Sequence, residues 1–220
     1  MKVILLGFLT LISLVGLITE INIFTILWLV LLPLPLGYLF KIIKTSFKGF
    51  DELPDFNNWK SIYLDGAKLI IVMIIYALPV IILFLLINYA QIFPIEPSNF
   101  SILNLWPLLI GPQLLIFIAI GFVEYMAIAN MALYEGITGA FSFREIIKRI
   151  SMIGWKKYLI YYILIWILAL VTVLISYIAL LILIGIIIIP LVIAPYFMIL
   201  NSRYLSLIFA SSEDVEIIKN

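Results

Sequence analysis

Long charge-free apolar stretches, broken by short polar and basic segments, dominate the chain, and their lengths predict its elements. Six stretches read as bilayer-crossing helices, at residues 3–19, 23–40, 69–90, 105–128, 158–180 and 184–206, because a span takes roughly 20 predominantly apolar residues. The first is short and bounded by Lys2 and Glu20. It is expected to be a retained helix, since no small-x-small cleavage pattern lies around Ser13 to Thr19. Glu20-Ile21-Asn22 makes a tight turn, so the first two spans form a hairpin. From Tyr158 to Leu200 the chain carries no charge for 43 residues. As helix that is about 65 Å, roughly twice the hydrocarbon thickness. The stretch must therefore fold back once, between Ser176 and Gly185, with the last helix reaching towards Phe209.

The polar connections 41–68 and 130–157 change the picture from a plain bundle to one with surface-lying segments. In the first, Ile43, Phe47 and Phe50 share a helical face at i, i+4, i+7, with Lys41, Lys44 and Lys48 on another. After Gly49 and Pro54, Phe56, Trp59 and Tyr63 recur at helical spacing beside Lys60. In the second, Ser142 and Glu145 have capping-box spacing. The helix they start has Phe143, Ile146, Ile147, Ile150 and Ile153 on one face and Arg144, Lys148 and Arg149 opposite, with Glu145 placed to support Arg149 at i+4. Such segments suit the boundary between acyl chains and anionic headgroups. Lys41, Lys44, Lys48, Trp59, Lys60, Arg144, Lys148, Arg149, Trp155, Lys156 and Lys157 are therefore the candidate lipid-contacting residues. Anchoring the bundle, with Trp59 and Trp155 as interfacial belt residues, is the simpler role; docking of a partner is the other.

Composition agrees with a membrane chain: 66% of residues are hydrophobic, 11% are charged, and the mean hydropathy is +1.29. The fold class is accordingly all-α, a single transmembrane domain over 1–220 with about six spans and two amphipathic cytoplasmic segments. The absence of histidine and cysteine excludes disulfides, thiol nucleophiles, Ser-His-Asp and Cys-His triads and HExxH metal sites. No Walker A loop is present, and no aspartate lies in a span. An enzyme is not expected, nor is a cofactor. On the six-span reading all 13 basic residues fall on one side, while the other carries only Glu20 and Glu96. The positive-inside rule then places both termini in the cytoplasm and the chain in the cytoplasmic membrane. Asn99-Phe100-Ser101, on the outer side, fits the N-glycosylation triplet. Asp51, Glu52, Asp55 and Asp65 dilute the lysines of the first basic connection, which argues against nucleic acid as a partner.

Ionisable groups near the membrane core are candidates by default, and here they reduce to Glu124 and Arg203, at similar depth and of opposite charge. An intramembrane ion pair is the expectation, with a substrate or proton site at Glu124 as the alternative. Asn88, Gln113 and Asn201 are expected as hydrogen-bond partners between helices. Seven prolines lie in spans: Pro33, Pro35, Pro79, Pro107, Pro112, Pro190 and Pro195. They fit either the broken helices of transporters or ordinary spans whose neighbours satisfy the freed backbone. Trp59-Lys60 and Trp155-Lys156 precede the two return spans and hint at a parallel internal repeat.

Several of these residues carry a family resemblance. Leu36-Gly37-Tyr38, Glu52-Leu53-Pro54-Asp55-Phe56, Trp59, Asp65-Gly66, Tyr76 and Pro79, followed by Gly139 to Ile146 and Gly154-Trp155, resemble a prokaryotic, largely archaeal membrane family known only as a domain of unknown function. The resemblance covers about Leu31 to Trp166. It implies a polytopic helical protein with amphipathic cytoplasmic segments and supplies no catalytic residue. The expected function is a non-enzymatic membrane component acting through contacts with lipids, above all anionic headgroups, or with a membrane-protein partner or second copy. The alternative is a permease or exporter subunit for an apolar or amphipathic molecule such as a lipid, peptide or drug.

Overall fold

The computed structural model describes residues 2–9, 29–50, 52–92, 106–182 and 185–212. Among these residues there is no strand, and the helices are α1 (residues 2–9), α2 (Pro33–Phe47), α3 (Trp59–Ile92), α4 (Trp106–Tyr134), α5 (Phe143–Ile153), α6 (Trp155–Leu181) and α7 (Gly185–Ala210). A 3-10 turn, Ile137–Phe141, links α4 to α5. Five helical segments of the described chain are long and apolar enough to cross a bilayer, so the protein is an integral membrane helical bundle. Most of the expected first span, the tight turn at Glu20, Asn88 and the Asn99 triplet lie outside the described residues or side chains.

The helix ends follow local chemistry. Pro33 sits in the first turn of α2, where its missing N–H removes no bond. At the other end Gly49, at φ +77°, supplies the left-handed turn, and the Phe50 N–H reaches back to the Thr45 carbonyl. Gly154, at φ +92°, lets α5 end and α6 begin without an intervening loop. α7 widens into a π turn over Ile189–Ile193, around Pro190. α6 ends at Leu181 and α7 begins at Gly185, both consistent with a fold-back between Ser176 and Gly185. There Gly185 lies so close to the backbone of Ala179 and Leu180 that a Cβ would overlap it.

The first basic connection departs from expectation. α2 runs unbroken through Lys41 and Lys44 to Phe47, and α3 starts at Trp59, so the connection shrinks to 48–58 and its described residues form no separate interfacial helix. Phe40, Ile43 and Phe47 continue the inward face of the span at i, i+3, i+7 and are all buried. Breaking the helix after Phe40 would expose that face.

Packing is concentrated at the end of the bundle that carries 48–58 and 135–154. Phe47 of α2 packs on Phe209 of α7 with ring centroids 5.1 Å apart. Val72, Met126, Ile146, Ile150 and Tyr158 fill the space between the remaining helices. The described lysines and arginines gather at this same end. The rest of α6 stands away from the core, with no residue after Ile165 buried, as a lipid-facing helix should. In that helix Thr172 and Ser176 direct their hydroxyls back to the carbonyls of Leu168 and Thr172.

Candidate membrane-facing binding site

The basic end is built by two clasps. In the first, Lys2 of α1 donates to the Leu53 carbonyl at 2.6 Å and forms an ion pair with Asp55 at 2.6 Å. Tyr38 of α2 donates to the Pro54 carbonyl at 2.9 Å and stacks on Phe56, rings 3.9 Å apart and 8° from parallel. Lys41 donates to the Asp55 carbonyl at 2.7 Å and to the Asn57 side chain. Lys44 pairs with Asp65 at 3.1 Å, an ion pair mostly withdrawn from solvent. Lys41 and Lys44 thus face protein groups where headgroup contact was expected, because the unbroken α2 carries them over the start of α3. Lys48, Trp59 and Lys60 remain exposed. The hydrogen bond and charge of Lys2 hold the Asp55 carboxyl below the usual carboxylate range.

The second clasp centres on Asn130 of α4, which is fully buried. Its Nδ2 donates to the Gly139 carbonyl at 2.8 Å, and its Oδ1 accepts from Arg149 Nε at 3.1 Å. Tyr76 of α3 donates to the Ala140 carbonyl at 2.7 Å. Arg149, expected on the outward face of α5, is 8% exposed, and its guanidinium lies 4.5 Å from the centre of the Phe209 ring. The inward stripe of α5 is Ile146, Arg149, Ile150 and Ile153, whereas Phe143 and Ile147 turn outward beside Arg144 and Lys148. The helix is therefore rotated from the orientation its isoleucines alone predict. Glu145 accepts from Tyr134 and leaves Arg149 to Asn130, and Ser142 donates to the Thr138 carbonyl without capping α5. Trp155, Lys156 and Lys157 are exposed at the start of α6.

α6 is tied to its neighbours by tyrosine hydroxyls more than by close backbone packing. Tyr158 donates to the Phe122 carbonyl at 2.7 Å, Tyr162 to Ile118 at 3.3 Å, and Tyr204 of α7 to Tyr161 at 2.9 Å. A tyrosine is long enough to hold two helices apart while satisfying its own hydroxyl, and clefts open beside these struts. One, of about 780 Å³, runs between α6 and α7 past Leu168, Thr172, Val192 and Tyr196, with Arg203 near its basic end. A second, of about 470 Å³, lies between α4 and α6, with Lys156 at its mouth. A third, of about 290 Å³, sits between them, walled by α3, α4, α6 and α7, and it contains Glu124.

Glu124 and Arg203 do not form the expected ion pair. They border different clefts, and no ion pair joins them among the described residues. Tyr125 takes the direct contact between their helices, donating to Asn201 Oδ1 at 2.7 Å. Asn201 thus serves as the interhelical partner expected of it. Asn130, Tyr125, Tyr158, Tyr162, Trp166 and Tyr204 were not singled out in the sequence. The i, i+4 pair Tyr158 and Tyr162 was the one available signal of a polar-tipped face on α6.

The glycines and aromatics that carried the family resemblance occupy these two clasps. Gly37, Tyr38, Pro54, Phe56 and Gly66 build the first, and Tyr76, Gly139 and Ala140 belong to the second. A family model described as a protein of unknown function, DUF4013, matches residues 21–194. No curated protein and no solved structure gives a match. With most of its length covered by that model, the chain belongs to the DUF4013 family.

Proposed function

We propose that the protein is a non-enzymatic membrane component that holds lipids in the clefts along α6. The observation that carries this reading is the cleft between α6 and α7. Its walls are almost wholly apolar, it lies open between two bilayer-spanning helices, and the cationic Arg203 stands towards the basic end. An acyl chain suits the walls and an anionic headgroup suits the cation. The neighbouring cleft repeats the arrangement with Lys156. Phe143, Ile147 and Trp155, all about half exposed, sit among Arg144, Lys148, Lys156 and Lys157 and extend the same interfacial surface. The reading includes a cytoplasmic location for the basic end, for which the distribution of lysine and arginine is the support.

A permease for an amphipathic molecule is the second reading. The π turn around Pro190 favours it, since Val192 and Ile193 of that turn line the same cleft, and irregular turns in spans mark places where a helix can move.

Native mass spectrometry of the protein, gently extracted from its own membranes, tests the first reading. A retained anionic phospholipid in the wild type, lost when Thr172→Trp fills the cleft, is the expected result. A protein that carries no lipid, or carries it equally in both forms, would count against it. Lipid or dye movement across reconstituted vesicles would move the permease reading ahead.

A further inference from the structure

The cleft walled by α3, α4, α6 and α7 differs from its neighbours in the sign of its charge. Where they present Arg203 and Lys156, this one presents the Glu124 carboxylate. Glu124 lies ten residues before the end of α4 at Tyr134, about 15 Å along the helix from the basic end. Among the described residues no hydrogen bond or ion pair reaches it. The hydroxyls that could have solvated it are committed elsewhere, Tyr125 to Asn201 and Tyr162 to the Ile118 carbonyl. A carboxylate at this depth needs a countercharge or a proton.

The walls offer what a soft organic cation needs. Phe117, Tyr125, Tyr162, Trp166 and Phe197 line the cavity. Successive rings stand nearly edge to face: Phe117 and Trp166 at 6.3 Å and 76°, Tyr162 and Trp166 at 6.2 Å and 75°, Tyr125 and Tyr162 at 6.2 Å and 63°. Rings crossed in this way turn negative faces in more than one direction, as in aromatic cages for alkylammonium groups. Gly121, one turn before Glu124, leaves the space in which the Tyr162 hydroxyl sits, since a Cβ there would stand 2.7 Å from it. At about 290 Å³ the cavity lies near the lower end of the range for small-molecule sites, which is about 300–1,000 Å³. A hard metal ion is poorly served, because it takes several oxygen ligands, and no group of three or more acidic or other metal-binding side chains occurs among the described residues.

We infer that this cavity binds a lipophilic organic ammonium ion entering from the bilayer, with Glu124 as its countercharge and the Tyr162 and Trp166 rings as its cation–π partners. The inference rests on the proposed function only for the route, an opening between bilayer-spanning helices. The ligand class is set by the carboxylate and the rings.

The test uses the full chain in non-ionic maltoside micelles and two probes of the same shape, benzyltrimethylammonium and its neutral isostere neopentylbenzene. Binding is read by tryptophan fluorescence and by the shift in melting temperature. The ammonium probe should bind the wild type about tenfold more tightly than the hydrocarbon. Glu124→Gln should abolish that preference while leaving hydrocarbon binding unchanged. Trp166→Leu, which keeps the carboxylate, should weaken the ammonium probe several-fold, and it decides the matter if Glu124→Gln does not fold. Equal binding of both probes to the wild type, or a preference that survives Glu124→Gln, would overturn the cation assignment. Binding of neither probe, as when Glu124 simply carries a proton, would overturn it too. The lipid reading, tested separately at the α6–α7 cleft, would stand or fall by Thr172→Trp.

Discussion

Gly37 of α2 and Gly66 of α3 meet backbone to backbone, each occupying the space that a Cβ on the other helix would need. A Cβ on Gly37 would overlap the Ile62 carbonyl and stand 2.9 Å from the Gly66 nitrogen, and one on Gly66 would overlap the Pro33 carbonyl. Close approach through small residues is a main source of helix association in lipid, where tails compete with side chains for dispersion contact. The crossing brings Lys44 to Asp65 and seats Tyr38 beneath the 52–58 loop.

Gly37→Ala and Gly66→Ala should therefore each lower stability by about 1–3 kcal/mol, since an inserted methyl must push backbone and not a flexible side chain. Gly111→Ala is the control, because nothing lies within 4 Å of a Cβ at that position. Thermal unfolding in detergent, followed by near-ultraviolet circular dichroism, should show a clear drop for the first two variants and none for the third. A wild-type midpoint for Gly37→Ala would show that the two helices can separate without cost.

Asn130 and Arg149 should behave as a unit. Asn130→Ala strips the guanidinium of its Nε acceptor and the Gly139 carbonyl of its donor, and leaving a charged buried donor unmet costs about 1–3 kcal/mol or more. Arg149→Met keeps the apolar stem over Phe209 and removes the charge, so with Asn130→Ala already in place it should cost little more. A double-mutant cycle by denaturant unfolding measures this, and strictly additive losses would contradict a shared network.

The Lys2–Asp55 pair predicts a specific pH dependence. Asp55 has its carboxyl pKa lowered in the fold, by the hydrogen bond and then the charge of Lys2. Its contribution is therefore complete above the unfolded carboxylate value of about 3.9 and is lost as pH falls through the lower folded value. Asp55→Asn should melt below the wild type at neutral pH, and the two curves should converge under acid. A gap that stays constant down to the acid limit would show that the charge is irrelevant to the clasp.

Tyr204→Phe and Tyr158→Phe test the struts of α6. Each removes one hydroxyl bond to a neighbouring carbonyl, worth about 0.5–1.5 kcal/mol. Because these hydroxyls bond α6 directly to the backbone of α4 and to Tyr204 of α7, hydrogen exchange should rise in α6 more than in α2 or α3. Uniform exchange across the bundle would mean that α6 is held by something other than its tyrosines.

The run lengths of apolar residues were enough to determine that the protein is helical and lies in a membrane, where its charges gather, and that the charge-free stretch from Tyr158 to Leu200 must fold back once between Ser176 and Gly185. These features are local: a segment in lipid must satisfy its own backbone, so composition and length alone impose the helix. The small residues and aromatics of the motif segments were visible too, though not their purpose. What the tertiary structure decided was direction. Lys41 and Lys44 turn to Asp55, Asn57 and Asp65, Arg149 turns inward to Asn130, and Glu124 and Arg203 border separate clefts. When nearly every position on a helix is apolar, the sequence carries little record of which side faces a neighbour. The rotation of each helix is set by contacts between distant residues, such as Gly37 with Gly66 and Tyr125 with Asn201, and these rotations determine which charges meet.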